Sequence, residues 1–249
     1  MSLAQSFGAV RGTYDRFRPP YPDALWEIVD AAQPGRALAV DLGAGNGLAT
    51  RALATRFARV IAVEPDARMA AWPEVPANVA LRVLESEQVV VDDNTADLVI
   101  AATALHWMDV DTLLPRVARW LRADGAFVAW RYEMPEVDGP VGDVLRAEAL
   151  AHWDAHRPPR LVEADWTARV VRECAALRVR DAGLLRLPVD VDVEMVIGML
   201  GSVSWVRAYA ATTADAEVYL AELGARLRAA ASGPVSFAMP IRWVVAGRA

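Results

Sequence analysis

The stretch that most limits how this chain can fold is residues 38–66, LAVDLGAGNGLATRALATRFARVIAVEPD. It begins with an apolar run typical of a buried parallel strand, which is followed by an acid and a turn rich in glycine. A helical pattern, the second apolar run Val60–Val63 and then Glu64 complete the stretch. This order predicts a βαβ nucleotide-binding unit. Its second acid follows the turn by about 20 residues, where it can accept hydrogen bonds from ribose hydroxyls.

The spacing of the glycines narrows the class of nucleotide. A dinucleotide fingerprint has the spacing G-x-G-x-x-G and holds a pyrophosphate at a helix N-terminus. Here the third glycine comes one residue early, as Gly43-x-Gly45-x-Gly47, and Asp41 lies two residues before the first. A carboxylate at that position repels a diphosphate but suits a ligand that carries an ammonium group and a sulfonium. A positively charged nucleoside ligand is therefore expected.

The pattern Asp41-x-Gly43-x-Gly45-x-Gly47 followed by Glu64-Pro65-Asp66 resembles the first two motifs of class I S-adenosylmethionine-dependent methyltransferases. The resemblance is strongest over residues 14–132, and it extends to small-molecule enzymes similar to the trans-aconitate methyltransferase group. It implies transfer of a methyl group from S-adenosyl-L-methionine to a small molecule, with S-adenosylhomocysteine as product. The implied fold is α/β: a Rossmann-like, seven-stranded, mostly parallel sheet with flanking helices, an antiparallel last strand and a helical substrate cap.

The resemblance also implies which residues contact the cofactor. Near the N-terminus, a stiff segment with prolines around Tyr21 would fold over the cofactor, although it is also compatible with a plain helix entry. After the third strand, an acid and the next residue would meet adenine, but Leu84 replaces the usual glycine before that acid. A helix is expected to start at Pro65. The implied cofactor-binding residues are Tyr14, Arg18, Asp41, Gly43, Ala44, Gly45, Gly47, Glu64, Pro65, Met69, Glu85, Ser86, Thr103 and Trp107.

The loop after the predicted strand Asp97–Ala101 is the expected place for the chemistry. Ligands of open parallel sheets lie beyond the carboxyl ends of the strands, and the sequence His106-Trp107 occurs there. His106 is a candidate general base or substrate-binding residue; alternatively, its ring bonds the backbone beneath the loop. The predicted substrate-binding residues are Tyr21, His106, Arg131, Tyr132, Trp205 and Tyr209.

We expect one methyltransferase-like domain over residues 1–249, because five strand–helix units precede two more strands. The predicted parts are an N-terminal lid and helix (1–32), a cofactor-binding core (33–137), cap helices (138–176 and 190–230) and terminal strands (177–189 and 235–246). The sixth strand is expected to be interrupted near 181–183. The last, Val235–Ala246, is expected to be a single strand with an edge position or bend at Pro240.

Composition excludes several classes. The net charge of −6 disfavours a nucleic-acid substrate, because phosphate neutralisation needs a basic face. No apolar run reaches the ~20 residues that span a bilayer, and no charged, then apolar, leader opens the chain. A cytoplasmic protein is thus expected. We expect no metal site, since His152 and His156 have helical spacing but no strong third ligand.

Two alternatives stay open at this point. The same pocket could direct attack at a different carbon beside the sulfur, by intramolecular cyclisation or aminocarboxypropyl transfer, and release 5′-methylthioadenosine. The chain could also be a non-catalytic cofactor-binding protein. The sequence leaves the acceptor and the oligomeric state undefined.

Overall fold

A computed structural model describes residues 20–249 of the chain. These residues form parts of two compact units. The first, which we call the sheet unit, consists of Pro20–Tyr132, Ala164–Leu185 and Ile241–Ala249. The second, the helical unit, contains the described segments Glu133–Glu163 and Arg186–Pro240.

The strands, in chain order, are β1 (Leu38–Leu42), β2 (Arg59–Val63), β3 (Val79–Arg82), β4 (Ala96–Ala102), β5 (Leu121–Tyr132), β6 (Glu136–Val137), β7 (Leu177–Leu185), β8 (Val189–Val191), β9 (Val235–Ala238) and β10 (Ile241–Arg248). The helices are α1 (Asp23–Ala31), α2 (Leu48–Ala54), α3 (Val110–Trp120), α4 (Gly139–Glu148), α5 (Pro159–Val162), α6 (Trp166–Glu173), α7 (Val193–Leu200), α8 (Ser204–Ala210) and α9 (Ala216–Ala230). Among these helices of residues 20–249, none is both long enough and apolar enough to cross a bilayer.

The sheet unit is built on seven strands in the order β3-β2-β1-β4-β5-β10-β7. Neighbouring strands from β3 to β5 are parallel, whereas β10 runs antiparallel to both β5 and β7. The predicted Rossmann-like, seven-stranded, mostly parallel sheet with an antiparallel last strand is therefore confirmed. Because the order reverses beside β1, the turns after β1 and β4 leave the sheet next to each other.

The central strands β1, β2 and β4 are buried on both faces, which explains their continuous apolar runs. One face of the sheet packs against α1, α2 and the turn after α2, through Leu25, Trp26, Val29, Leu53 and Phe57. The other packs against α3 and α6, through side chains such as Leu113, Val117, Trp166 and Val171. The central strands are thereby fixed on both sides, and they hold the loops at their carboxyl ends in place.

The helical unit contains a small antiparallel sheet in the order β6-β9-β8 and the helices α4, α5, α7, α8 and α9. Its own apolar core includes Val141, Leu145, Met199, Leu223 and Phe237. A compact unit needs an apolar core of its own, and this cluster provides one for the helical unit. That the chain forms one functional domain stays a prediction.

Three predictions about elements are wrong. No helix follows Pro65: residues 64–78 form turns, bends and irregular segments between β2 and β3. The stretch Val235–Ala246 is not one strand, because the chain leaves the small sheet at β9 and enters the large sheet at β10, on either side of Pro240. Finally, β7 is continuous, because Arg180 is accommodated as a bulge opposite Val245 and Ala246.

Candidate functional site

The candidate site lies where three neighbouring parallel strands end. In the register of the sheet, Leu42 of β1 is opposite Val63 of β2, and Asp41 is opposite Ile100 of β4. The residues that follow these strands therefore emerge at one edge. They are the glycine turn 43–47, Glu64, and the loop 103–109, as the sequence predicts.

The glycine turn owes its composition to both packing and conformation. Gly43 has φ +70°, and a Cβ there would lie 2.5 Å from the Cβ of Ala104. Gly45 has φ +56°, and among residues 20–249, its two chain neighbours aside, a Cβ there would meet only the Cε of Met69, at 3.7 Å. Gly43 is thus required for the turn to pack on the loop after β4. Gly45 instead leaves open space beside Met69, which is where a ligand can approach the backbone.

Glu64 connects the end of β2 to this turn. Its side chain is 8% exposed; Oε2 accepts a hydrogen bond from the Gly45 amide at 2.8 Å and Oε1 accepts one from the Asp66 amide at 2.9 Å. Burial raises the pKa of Glu64, and the two amide bonds offset part of that effect. Each carboxylate oxygen has two lone pairs, so each can accept one more hydrogen bond.

Asp41 lies beneath the turn and is fully buried. The hydroxyl of Thr50, in the first turn of α2, donates to its Oδ2 at 2.6 Å. Within residues 20–249, nothing hydrogen-bonds Oδ1. Burial raises the pKa of Asp41 to about 7; the Thr50 bond opposes this shift and the charge of Glu64 adds to it. A buried carboxylate of this kind gains most from a positive charge placed nearby.

The loop after β4 packs directly on the glycine turn through Ala104 and Met108. It contains a short 3₁₀ turn, Leu105–Trp107, in which His106 is 8% exposed. The ring centroids of His106 and Trp107 are 4.6 Å apart. The candidate base therefore belongs to a turn that is held against the cofactor motif, while Trp107 is half-buried.

Thr103, the first residue of this loop, has φ +58°, an uncommon conformation for a side chain other than glycine. Its amide donates to the carbonyl oxygen of Trp130 at 2.7 Å, and its hydroxyl lies 3.3 Å from that of Tyr21. Tyr21 stacks on Tyr132 with the ring centroids 5.7 Å apart. Three predicted site residues, on separate elements, thus meet at a strained position of the kind found at functional sites.

Other predicted residues lie in less informative surroundings. Glu85 is exposed, and Ser86 is buried in a 3₁₀ turn. Arg131 is 1% exposed, and its Nη2 donates to the carbonyl oxygen of Ala164 at 2.9 Å. Pro65 is half-buried. Tyr14 and Arg18 lie outside the described residues.

Trp205 and Tyr209 belong to the helical unit, on α8. The ring of Tyr209 stacks on His152, with the centroids 4.7 Å apart, and meets His156 edge-on at 5.7 Å. The two histidines are thus aromatic neighbours of one tyrosine. Within residues 20–249, no group of three or more His, Cys, Asp or Glu side chains is arranged to hold a metal ion.

Two residues at the site were missed by sequence reasoning. One is Thr50, whose only signal is a hydroxyl in the first turn of the helix that follows the glycines. The other is Trp72, whose indole Nε1 donates to the carbonyl oxygen of Gly45 at 2.8 Å. It lies in a segment with no periodic pattern, so only the three-dimensional structure reveals it.

A βαβ unit with one acid near the end of β1 and another directly after β2, in this sheet order, is typical of proteins that bind a nucleoside-type cofactor. Residues 40–129 match a family model described as a methyltransferase domain. The solved structure of a candidate type II methyltransferase from Anaeromyxobacter dehalogenans is 31% identical in sequence, with a TM-score of 0.75, and the match covers 93% of this chain and 98% of that one. The chain belongs to the class I S-adenosylmethionine-dependent methyltransferases, whose cofactor is S-adenosylmethionine.

Curated relatives agree over part of the sequence. An uncharacterized methyltransferase of Mycobacterium tuberculosis is 36% identical over 160 residues, which are 58% of this chain and 63% of that protein. A candidate methyltransferase of Dictyostelium discoideum is 34% identical over 132 residues, 53% of this chain and 50% of that protein. The matched region thus spans only half to 63% of the length of these relatives.

The residues at the carboxyl edge fit this cofactor. Glu64 keeps acceptor capacity for two hydroxyl groups after its two amide bonds. The Gly45 backbone is open next to Met69, and the buried Asp41 has an oxygen that no described residue bonds. A ligand with ribose hydroxyls and positive charge would use each of these features.

Proposed function

We propose that this protein catalyses methyl transfer from S-adenosylmethionine to a small-molecule acceptor and releases S-adenosylhomocysteine. The observation that carries the proposal is the position of Glu64, whose carboxylate is anchored to the glycine turn at Gly45 and still has room for further hydrogen bonds. The family supports the cofactor. The acceptor and the residue roles are part of the proposal.

In this proposal the chain contributes mainly alignment. The cofactor supplies a methyl group activated by the sulfonium. Glu64 would hold the ribose, Asp41 would attract the positive charge from below, and the open face of Gly45 would admit the ligand to the backbone. Displacement at carbon requires the nucleophile, the methyl carbon and the leaving sulfur to lie in line. A rigid binding site that holds this alignment therefore accelerates the reaction.

His106 would act only where the acceptor must lose a proton. Its turn packs on the glycine turn through Ala104, and the Trp107 ring lies beside it, where it would help to exclude water. A general base within hydrogen-bond reach of the nucleophile contributes about 10²–10⁴-fold in rate. An acceptor that is already anionic, such as a carboxylate, would need no base.

Trp205, a predicted substrate-binding residue, lies in the helical unit beside Arg157. The Arg157 guanidinium carbon is 5.8 Å from the ring centroid of Trp205. Among the described residues, Trp205 Nε1 and Arg157 Nε are buried donors without a hydrogen-bond partner. Such donors favour a ligand with oxygen acceptors. We therefore include Trp205 as an acceptor-binding residue. Tyr209, which packs on His152 and Tyr219, is a weaker candidate.

The test is mass spectrometry of the cofactor products. The protein is incubated with S-adenosylmethionine and an ultrafiltrate of cell extract, with the protein-containing retentate as a parallel sample. Accumulation of S-adenosylhomocysteine with the ultrafiltrate, together with a product heavier by one methylene, is the expected result. The Glu64→Ala variant serves as the control for turnover that does not depend on the site.

The same measurement separates the competing functions. Release of 5′-methylthioadenosine would show that the nucleophile attacks another carbon of the cofactor, and would contradict methyl transfer. Tight cofactor binding without any product, with either sample, would point to a binding protein. Turnover with the retentate alone would contradict a small-molecule acceptor.

A further inference from the structure

Trp72 lies beside the glycine turn and bonds its central residue. The residue is 8% exposed, and its Nε1 donates to the carbonyl oxygen of Gly45 at 2.8 Å. On the other side of the same residue, the Gly45 amide donates to Glu64 Oε2 at 2.8 Å. The backbone N–H and C=O of Gly45 are thus each fixed by a side chain from outside the turn.

The indole also sets the shape of the turn. A Cβ at Gly47 would lie 2.9 Å from both Cε2 and Cζ2 of Trp72, so the ring occupies the space against which Gly47 packs. Trp72 forms a small cluster with Ala44 and Ala62, separate from the two main faces of the sheet. Val79 and Leu81 of β3 pack against this cluster, so Trp72 lies between the cofactor motif and the edge strand rather than in either main core.

The connection between β2 and β3 explains how this side chain reaches the turn. Residues 64–78 contain no helix, and the Trp72 amide donates to the carbonyl oxygen of Ala70 at 2.8 Å in a tight turn. The chain therefore folds back toward the end of β1 instead of following the sheet face as a helix. This path places the Trp72 side chain against the glycine turn. In a helix over the same residues, the helical repeat would instead fix the direction of each side chain.

We propose that Trp72 is a positioning residue for cofactor binding: it holds the Gly45 peptide in the orientation that leaves the turn open to S-adenosylmethionine. The inference rests on the proposed assignment of the glycine turn as the cofactor site. A free Gly45 carbonyl would let the peptide rotate, because glycine has a wide range of accessible conformations. The indole hydrogen bond removes that freedom before the ligand arrives.

The test compares Trp72→Phe with Trp243→Phe. Both replace a buried indole of the sheet unit, but in residues 20–249 the Nε1 of Trp243 bonds nothing, and Trp243 lies on β10, three strands from β1. By calorimetry, Trp72→Phe should bind S-adenosylhomocysteine about threefold to tenfold more weakly, and Trp243→Phe should bind it normally. In the ligand-free protein, hydrogen exchange over residues 43–50 should be faster only in Trp72→Phe.

Each outcome decides one point. Unchanged affinity and unchanged exchange in a folded Trp72→Phe variant would overturn the positioning role. A lower melting temperature with wild-type affinity would reduce Trp72 to a packing residue. If Trp72→Phe does not fold, benzothienylalanine at position 72 keeps the bicyclic ring and removes only the donor. Failure of the wild-type protein to bind S-adenosylhomocysteine would instead refute the cofactor site itself.

Discussion

The carboxylate of Glu64, at the end of β2, accepts a hydrogen bond from the amide of Gly45, in the turn after β1, at 2.8 Å. Its other oxygen is bonded to the amide of Asp66. The second acid of the motif is thus fixed in place by the first glycine turn before any ligand binds. Ligand binding then costs little side-chain entropy at this position.

Glu64→Ala should weaken S-adenosylmethionine binding by at least about tenfold. Two charge-assisted hydrogen bonds to ribose would be lost, each worth ~1.5–3 kcal/mol, and 1.4 kcal/mol is a factor of about ten. Calorimetry with circular dichroism as a check on folding measures the effect. The control Glu173→Ala removes an exposed carboxylate of α6 that pairs with Arg169. Equal affinity in a folded Glu64→Ala protein would exclude the ribose role.

The cofactor motif was predictable because its signals are local. Residues 38–66 contain, in order, an apolar run, an acid, three glycines and a second acid. The two strands of this stretch, β1 and β2, are close in sequence and pair with each other. The split of Val235–Ala246 was not predictable in this way. Both halves have strand composition, and only the packing of two separate cores assigns β9 to one sheet and β10 to the other.

The side chains that support the site were harder to predict. Trp72 reaches Gly45 across 27 residues of chain, through turns that carry no periodicity. Arg131 lies at the penultimate position of β5, where a ligand contact is expected, yet its side chain is buried and bonds the carbonyl oxygen of Ala164 in a distant segment. Contacts of this kind depend on tertiary packing, to which local patterns are blind.

Gly45→Ala should separate backbone strain from lost ligand space. The left-handed conformation costs alanine about 1–2 kcal/mol, so the ligand-free variant should be destabilised modestly. Its new methyl group would point beside Met69, into the space left for the cofactor, and binding should fall by more than about tenfold.

The matched control is Gly139→Ala: Gly139 has φ +69°, and apart from its chain neighbours and its own helix backbone, no atom of the described residues lies within 4 Å of its Cβ position. Denaturant unfolding should give similar losses of stability for both variants, whereas calorimetry should detect weaker binding only for Gly45→Ala. Normal binding by Gly45→Ala would place the ligand elsewhere.

Asp41→Asn should stabilise the ligand-free protein increasingly as pH rises. The folded pKa of Asp41, about 7, is above the ordinary value of 3.8. The folded state therefore binds the extra proton, and its stability falls as pH increases from about 4 to about 7. Asparagine does not titrate, so the variant does not lose stability in this way as pH rises. Between about pH 5 and pH 8, its advantage should grow by on the order of 2–3 kcal/mol in urea unfolding.

The same substitution should weaken cofactor binding, because the positive charge loses its buried counterion. Wild-type affinity should also rise as pH increases through about 7, as Asp41 ionises. The exposed residue Asp124 provides a control, Asp124→Asn, for general charge effects. If the difference in unfolding free energy between Asp41→Asn and wild type is the same at about pH 5 and about pH 8, the raised pKa of Asp41 is contradicted.

His106 tests whether the reaction needs a base in addition to alignment. The residue lies in a 3₁₀ turn that packs on the glycine turn through Ala104, at the edge where the methyl group would be presented. If its ring takes a proton from the acceptor, both His106→Ala and His106→Asn should lower kcat by ~10²–10⁴, with little change in cofactor affinity. Single-turnover formation of S-adenosylhomocysteine, with the acceptor found in the ultrafiltrate, measures this rate.

A His106→Asn variant that keeps most of its activity would refute the base role, because asparagine can orient an acceptor but cannot accept its proton at neutral pH. Methyl transfer by alignment alone would then remain.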